Sequence, residues 1–138
     1  MKIRGNTLKG NMGMLVNKGG SCYDAQIIAN NSQGVEISDN TVESVGVNGI
    51  CASDTVRSER AVFPQFLSNL NVHGNIVRAK GASVSGVVYA RTPSGVTFDR
   101  NQYFVDDLSA QHWQYGAKQT GAQWMAGGQD GVGSFAAW

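Results

Sequence analysis

The sequence predicts an all-β solenoid, a stack of short-stranded repeats closed at its C-terminal end by a small cap. Three observations carry that expectation. The chain has 18 glycines in 138 residues and only 15% charged residues, a balance of turns and strands rather than of helices. A six-residue unit, apolar-x-x-Asn-x-apolar, recurs four times. Short β-prone runs fill the intervals between its copies, and a self-similar period of this length signals a solenoid.

The unit appears as "IRGNTL" from Ile3, "ISDNTV" from Ile37, "VHGNIV" from Val72 and "FDRNQY" from Phe98. Its asparagines, Asn6, Asn40, Asn75 and Asn101, follow one another at intervals of 34, 35 and 26 residues. Asn accepts the left-handed backbone of a tight bend better than any residue except Gly, so each Asn is expected to make a bend. Stacked about 4.8 Å apart, the Asn amides would bond along the column as a ladder.

Each repeat then reads as three strands, giving three parallel sheets. One strand precedes the Asn ("GVEIS", "LNVH", "GVTF") and a second follows it ("TVES", "IVRA", "QYFV"). A third comes after a variable loop ("AQIIAN", "GICASD", "GVVYAR" and "HWQYGA"). The stretch 25–40 also aligns without a gap on 86–101, which makes Asn30 and Arg91 equivalent positions. Buried Val, Ile and Leu would form a core that no single repeat can close alone. In "TGAQWMAGGQD" (120–130), Thr120 reads as a helix N-cap, Trp124 and Met125 as cover for the last repeat, and Gly127 as the stop.

This pattern resembles the right-handed parallel β-helix family, the pectin-lyase-like group, over essentially the whole chain. The Ile-x-x-Asn-x-Val units, the "NGI" and "SGV" openings of the third strand and the ending "NQYF…HWQYG…WMAGGQD" carry the likeness. The division expected is stacked coils over about 1–107 and a cap over about 108–138. Nothing like a cap stands before Ile3 and no signal peptide is evident, so the chain is expected to be the C-terminal part of a longer domain. The resemblance implies a secreted or cell-surface bacterial protein that acts on or binds an extracellular polysaccharide, as a hydrolase or lyase. The alternative is a non-catalytic surface, adhesion or tail-fibre module.

In that family, sugar polymers usually lie along the sheet formed by the third strands. Two long loops, 11–24 and 55–65, flank it here, and long loops on a rigid scaffold concentrate binding residues. The candidates with useful chemistry are Tyr23, Asp24, Asn30, Asp54, Arg57, Glu59, Arg60, Lys80, Tyr89 and Arg91. Glycoside hydrolysis needs two carboxyl groups about 5 to 10 Å apart, and Asp54 with Glu59 suits it better than Asp54 with Asp24. Elimination from a uronic acid needs a base and a cation beside the carboxylate. Asp54 and Arg91 are therefore the catalytic candidates, and Asn30, Tyr89, Arg57 and Arg60 the substrate-binding ones. The competing reading leaves all of these as surface charges that keep the loops soluble.

Other features point elsewhere or nowhere. The formal charge of +1 selects neither nucleic acid nor an acidic membrane, and no apolar run approaches a membrane span. Neither a metal-ligand cluster nor a phosphate loop is present, so no cofactor is expected. "VDD" (105–107) reads as a turn of the cap, His73 as a solvated outward residue, and His112, Trp113 and Tyr115 as cap packing rather than a sugar platform. "NNS" at Asn30 matches a glycosylation tripeptide that says little by itself. Cys22 and Cys51 read first as small buried residues, with a disulfide as the less favoured alternative.

Overall fold

A computed structural model of the protein describes residues 1–9, 22, 25–55, 66–81 and 83–138. Among the described residues the chain is all-β with one short helix, and each repeat lays down one strand in each of three sheets. The first repeat gives β1 (Lys2–Arg4), β2 (Thr7–Lys9) and β3 (Ala25–Asn30); the second gives β4 (Gln33–Ser38), β5 (Thr41–Val45) and β6 (Asn48–Asp54). The third gives β7 (Ser68–His73), β8 (Ile76–Lys80) and β9 (Ser85–Tyr89). The last gives β10 (Ser94–Asp99), β11 (Gln102–Val105) and β12 (Trp113–Tyr115), followed by β13 (Ala117–Gln119), α1 (Gly121–Ala126) and β14 (Ser134–Ala137).

The first sheet runs β1-β4-β7-β10, the second β14-β11-β8-β5-β2 and the third β13-β12-β9-β6-β3. All pairings are parallel except β12 with β13, an arrangement compatible with a β-helix. One core lies between the three sheets. Ile37, Val72 and Phe98 enter it from the first sheet, Val42, Val77 and Tyr103 from the second, and Ile50, Val87 and Trp113 from the third. In the first two sheets these residues are register partners and stack on one another, while in the third Ile50 and Trp113 are both level with Ser85 and Val87 with Ala52. Burial of these columns is the main stabilising term.

The asparagines form the expected ladder. The backbone N and Nδ2 of Asn40 both donate to Oδ1 of Asn75, at 3.0 Å each. Asn75 does the same to Asn101, and Asn6 does the same to Asn40. Each Nδ2 also reaches back to a carbonyl of the preceding repeat: Asn40 to Ile3, Asn75 to Ile37 and Asn101 to Val72.

The reason for Asn differs from the one expected. The left-handed residue is the one before it, Gly5, Asp39, Gly74 and Arg100, with φ between 53° and 68°. Asn is there for its amide, which satisfies backbone groups that a bend would otherwise bury unpaired. A second left-handed column, Gly34, Asn69 and Gly95, interrupts the start of β4, β7 and β10.

The "NGI" and "SGV" glycines answer to close approach. A Cβ on Gly49 would lie 2.4 Å from the carbonyl oxygen of Val84, and one on Gly86 would lie 2.5 Å from that of Gln114. At the sealed end Thr120 caps α1 in a capping box with Gln123, and Gly127 is its C-cap. Trp124 is fully buried, its ring 4.8 Å from that of Phe98. Met125 faces solvent instead of covering the stack, because one step along a helix turns it about 100° away from the buried Trp124.

Candidate functional site

The side chains of the third sheet alternate between core and outer face. Ile27, Ala29, Ile50 and Ala52 point inward, so Ile28, Asn30, Cys51 and Ser53 point outward. The outer face is the one expected to hold a sugar chain. Cys22 crosses it, joined to Cys51 by a disulfide, so the reading of two unpaired buried cysteines is corrected. The backbone N of Cys22 also donates to Oε1 of Gln114 on β12, 3.0 Å away. Cys22 therefore bridges β6 and β12 on that face.

Asp54 has the inward phase of Ala52 and sits where the third sheet turns toward the first. Its side chain is 2% exposed. Oδ2 accepts a bond of 2.8 Å from the N–H of Leu67, just ahead of β7. Oδ1 accepts from Nε and Nη2 of Arg91 at 3.1 and 2.9 Å. The buried carboxylate thus ties the start of β7 to the turn after β9. The Arg91 side chain is 50% exposed, so the pair has one partner inside and one at the surface.

Tyr89 stands level with Asp54 in the strand register. Its ring lies edge-on to Tyr115, 5.7 Å between centroids, and a Cβ on Gly116 would meet its hydroxyl at 2.8 Å. Burial, and then the neighbouring Tyr89, raise the Tyr115 phenol above its ordinary range. Asn30 is on the outer face one repeat away, accepting from Ser53 Oγ at 2.9 Å. Asp54, Arg91 and Tyr89 are thus brought to one edge. Arg57, Arg60, Glu59, Tyr23 and Asp24 lie outside the described residues. Lys80 ends a strand of the second sheet, with its Nζ 4.6 Å from the ring of Trp138.

The equivalence of Asn30 and Arg91 is not found. Asn30 pairs with Ser53, and Ser53 with Val88. The first sheet follows the aligned register, Gln33 with Ser68 and Ser68 with Ser94. Counted between paired positions, the chain from Val88 to Ser94 is therefore three residues longer than that from Asn30 to Gln33, and a gapless alignment cannot show this.

The remaining motifs are structural. Asp107 accepts from the N–H and hydroxyl of Ser109 at 2.8 and 2.6 Å, and these bonds hold its carboxyl below the usual range. Asp106 lies 3.2 Å from Nε2 of His112, while His73 is 3.5 Å from Glu36. His112 and Trp113 are buried.

Sequence reasoning passed over two polar devices. Asn31 exchanges two bonds with Thr55 at the turn after the third sheet. Asp130, 1% exposed, ends the Asn ladder; its signal was an Asp, the isostere of Asn, at a buried bend near the cap. Among the described residues no group of three or more His, Cys, Asp or Glu is placed to hold a metal, and no helix is long and apolar enough to cross a membrane. No family model matches the chain, and no curated protein or solved structure matches it either.

Proposed function

We propose that the chain is a right-handed, pectin-lyase-like parallel β-helix that works at the cell exterior by binding an acidic extracellular polysaccharide. The observation that carries this reading is the half-exposed Arg91 held on a buried Asp54, two residues past Tyr89, whose ring packs edge-on against Tyr115. A guanidinium fixed by a carboxylate loses less entropy on binding and suits the planar carboxylate of a uronic acid. The tyrosine rings offer the mixed apolar and polar surface that sugars favour.

Binding is favoured over cleavage because Asp54 engages three N–H groups and has almost no exposure. To protonate a glycosidic oxygen it would have to abandon Arg91 or Leu67. Asp54 is therefore read as the residue that orients Arg91. Cys22, fixed over the third sheet by its disulfide and its bond to Gln114, supports placing the sugar at the edge near Arg91 rather than on the sheet face.

The test is titration of the full chain with a polyuronate and with a neutral polysaccharide of equal length. Polyuronate binding should weaken about tenfold or more in Arg91→Ala, the loss of roughly one charge-assisted contact. Arg91→Lys should recover only part of it. Equal binding of both polymers, or no effect of Arg91→Ala, would remove the proposal. Release of reducing ends or of ultraviolet-absorbing unsaturated products would assign turnover instead.

A further inference from the structure

The second sheet forms the wall across the core from the corner that holds Asp54 and Arg91. Val42, Val77, Ala79, Tyr103 and Val105 point inward from it, so the residues between them face outward. On that outer face the register sets Arg78 beside Glu43 and Phe104, and Lys80 beside Val45. Trp138 follows β14, its N–H donating to the Val105 carbonyl at 2.9 Å.

Two cations on this face rest on aromatic rings. The guanidinium carbon of Arg78 stands 4.8 Å over the centre of the Phe104 ring, and Nζ of Lys80 stands 4.6 Å over that of Trp138. Both lie within the roughly 6 Å over which a ring attracts a cation. Among the described residues neither is paired with a carboxylate. Glu43 lies 3.6 Å from Lys9 instead. Asp106 accepts from the Gly81 N–H at 3.1 Å and lies 3.2 Å from Nε2 of His112. A ring holds a cation in place without neutralising it, whereas Asp54 both holds and neutralises Arg91.

Arg78 and Lys80 are two residues apart on β8, about 6.6 Å along the strand. The face therefore presents two positioned, uncompensated positive charges side by side. Phe104 and Trp138 are half-buried beneath them, so no apolar side chain is shown to project past the charges as insertion into a bilayer requires. A nucleic acid draws its affinity from many phosphate contacts, and two cations on a chain of formal charge +1 supply few. An acidic polysaccharide suits what is present: cations for its acid groups and ring edges for its apolar faces.

We propose that the outer face of the second sheet is a separate site for acidic polysaccharide, centred on Arg78 and Lys80. It rests on the reading of the chain as a binder of such polymers, and not on the contacts of Arg91. With the Arg91 corner on the other side of the core, one chain can hold two polymer strands at once.

Calorimetric titration of the full-length chain with a short oligouronate should give two sites. Arg91→Ala should leave one of them, and in that background Arg78→Gln with Lys80→Gln should weaken the remaining one about tenfold or more. Raising the salt should weaken the second-sheet site more than the Arg91 site, whose charge is already paired. Lys80→Gln alone, at an exposed position, should weaken it severalfold and keeps the test decisive if the double change fails to fold.

A single site that disappears in Arg91→Ala would overturn the proposal and leave the Arg91 reading standing. A single site indifferent to Arg91→Ala but lost with Arg78 and Lys80 would support it and remove the Arg91 reading. Stronger binding of phosphatidylglycerol vesicles or of single-stranded DNA, lost in the Arg78 and Lys80 variant, would give the face to another partner and overturn it.

Discussion

Replacing Asp130 with Asn changes one atom and reverses one hydrogen-bond role. Asp130 Oδ1 accepts from the N and Nδ2 of Asn101 at 3.0 and 2.8 Å, and Oδ2 accepts from Tyr103 Oη and Trp124 Nε1 at 2.8 and 2.9 Å. An Asn that keeps its oxygen toward Asn101 would point its NH2 at those last two groups. The tyrosine hydroxyl can rotate and accept, but an indole N–H only donates. Trp124 is fully buried, so its N–H would be orphaned at about 1–3 kcal/mol.

Converting the two remaining charge-assisted bonds to neutral ones adds about 1 kcal/mol more. Relief from burying a charge offsets part of this. The net expectation is a loss of about 2–3 kcal/mol, or roughly 10 °C in Tm for a chain of this size. Urea unfolding followed by tryptophan fluorescence measures it. In a Trp124→Phe background the loss should shrink by about 1 kcal/mol or more. An Asp130→Asn protein as stable as the parent, or an unchanged loss without the indole, would refute the reasoning.

Further outcomes follow from the same contacts. Asn75→Leu should cost about 2–3 kcal/mol, because it strands the Ile37 carbonyl and the Asn40 backbone amide at a fully buried position, and exposed Asn6→Leu less than about 1 kcal/mol; denaturant midpoints would order the two. Reducing the Cys22–Cys51 disulfide, which closes a separation of 29 residues, should cost about 3–4 kcal/mol by loop entropy. A Cys22→Ser, Cys51→Ala double variant should match the reduced protein and be insensitive to reductant. Burial, and secondarily the Asp130 charge, raise the Tyr103 phenol well above its ordinary value of 10.0. Above that pH the unfolded chain sheds a proton that the folded one keeps, so stability should fall with rising pH from about 10 upward. Tyr103→Phe should flatten that alkaline slope in pH-dependent melting.

The repeat could be read from sequence because the same side chains must meet their own kind in the next layer. Ile37, Val72 and Phe98 announce the first sheet, and the three asparagines after them mark the column. What the asparagines do was less legible. Asn suits a left-handed bend as well as an amide ladder, and only backbone geometry shows that Asp39 and Arg100 take the strained conformation.

The third sheet was harder for a physical reason. Its strands lie between turns of unequal length, so Asn30 and Arg91 look equivalent while the register sets Asn30 level with Val88. The ion pair of Asp54 with Arg91 crosses 37 residues, and no local pattern states it. Cys22 and Asp130 were obscured because each serves as a single closure, and a feature used once has no period to betray it.

The longer turn between β9 and β10 has a bearing on how such a chain can change over time. Between paired positions it is three residues longer than the corner from β3 to β4, while strand pairing on either side holds its spacing. Corners are thus places where insertions are absorbed locally, whereas one residue gained within a strand would turn its buried side chains outward. Novelty in a lineage built this way would accumulate at the corners, and Arg91 stands on the longer of these two.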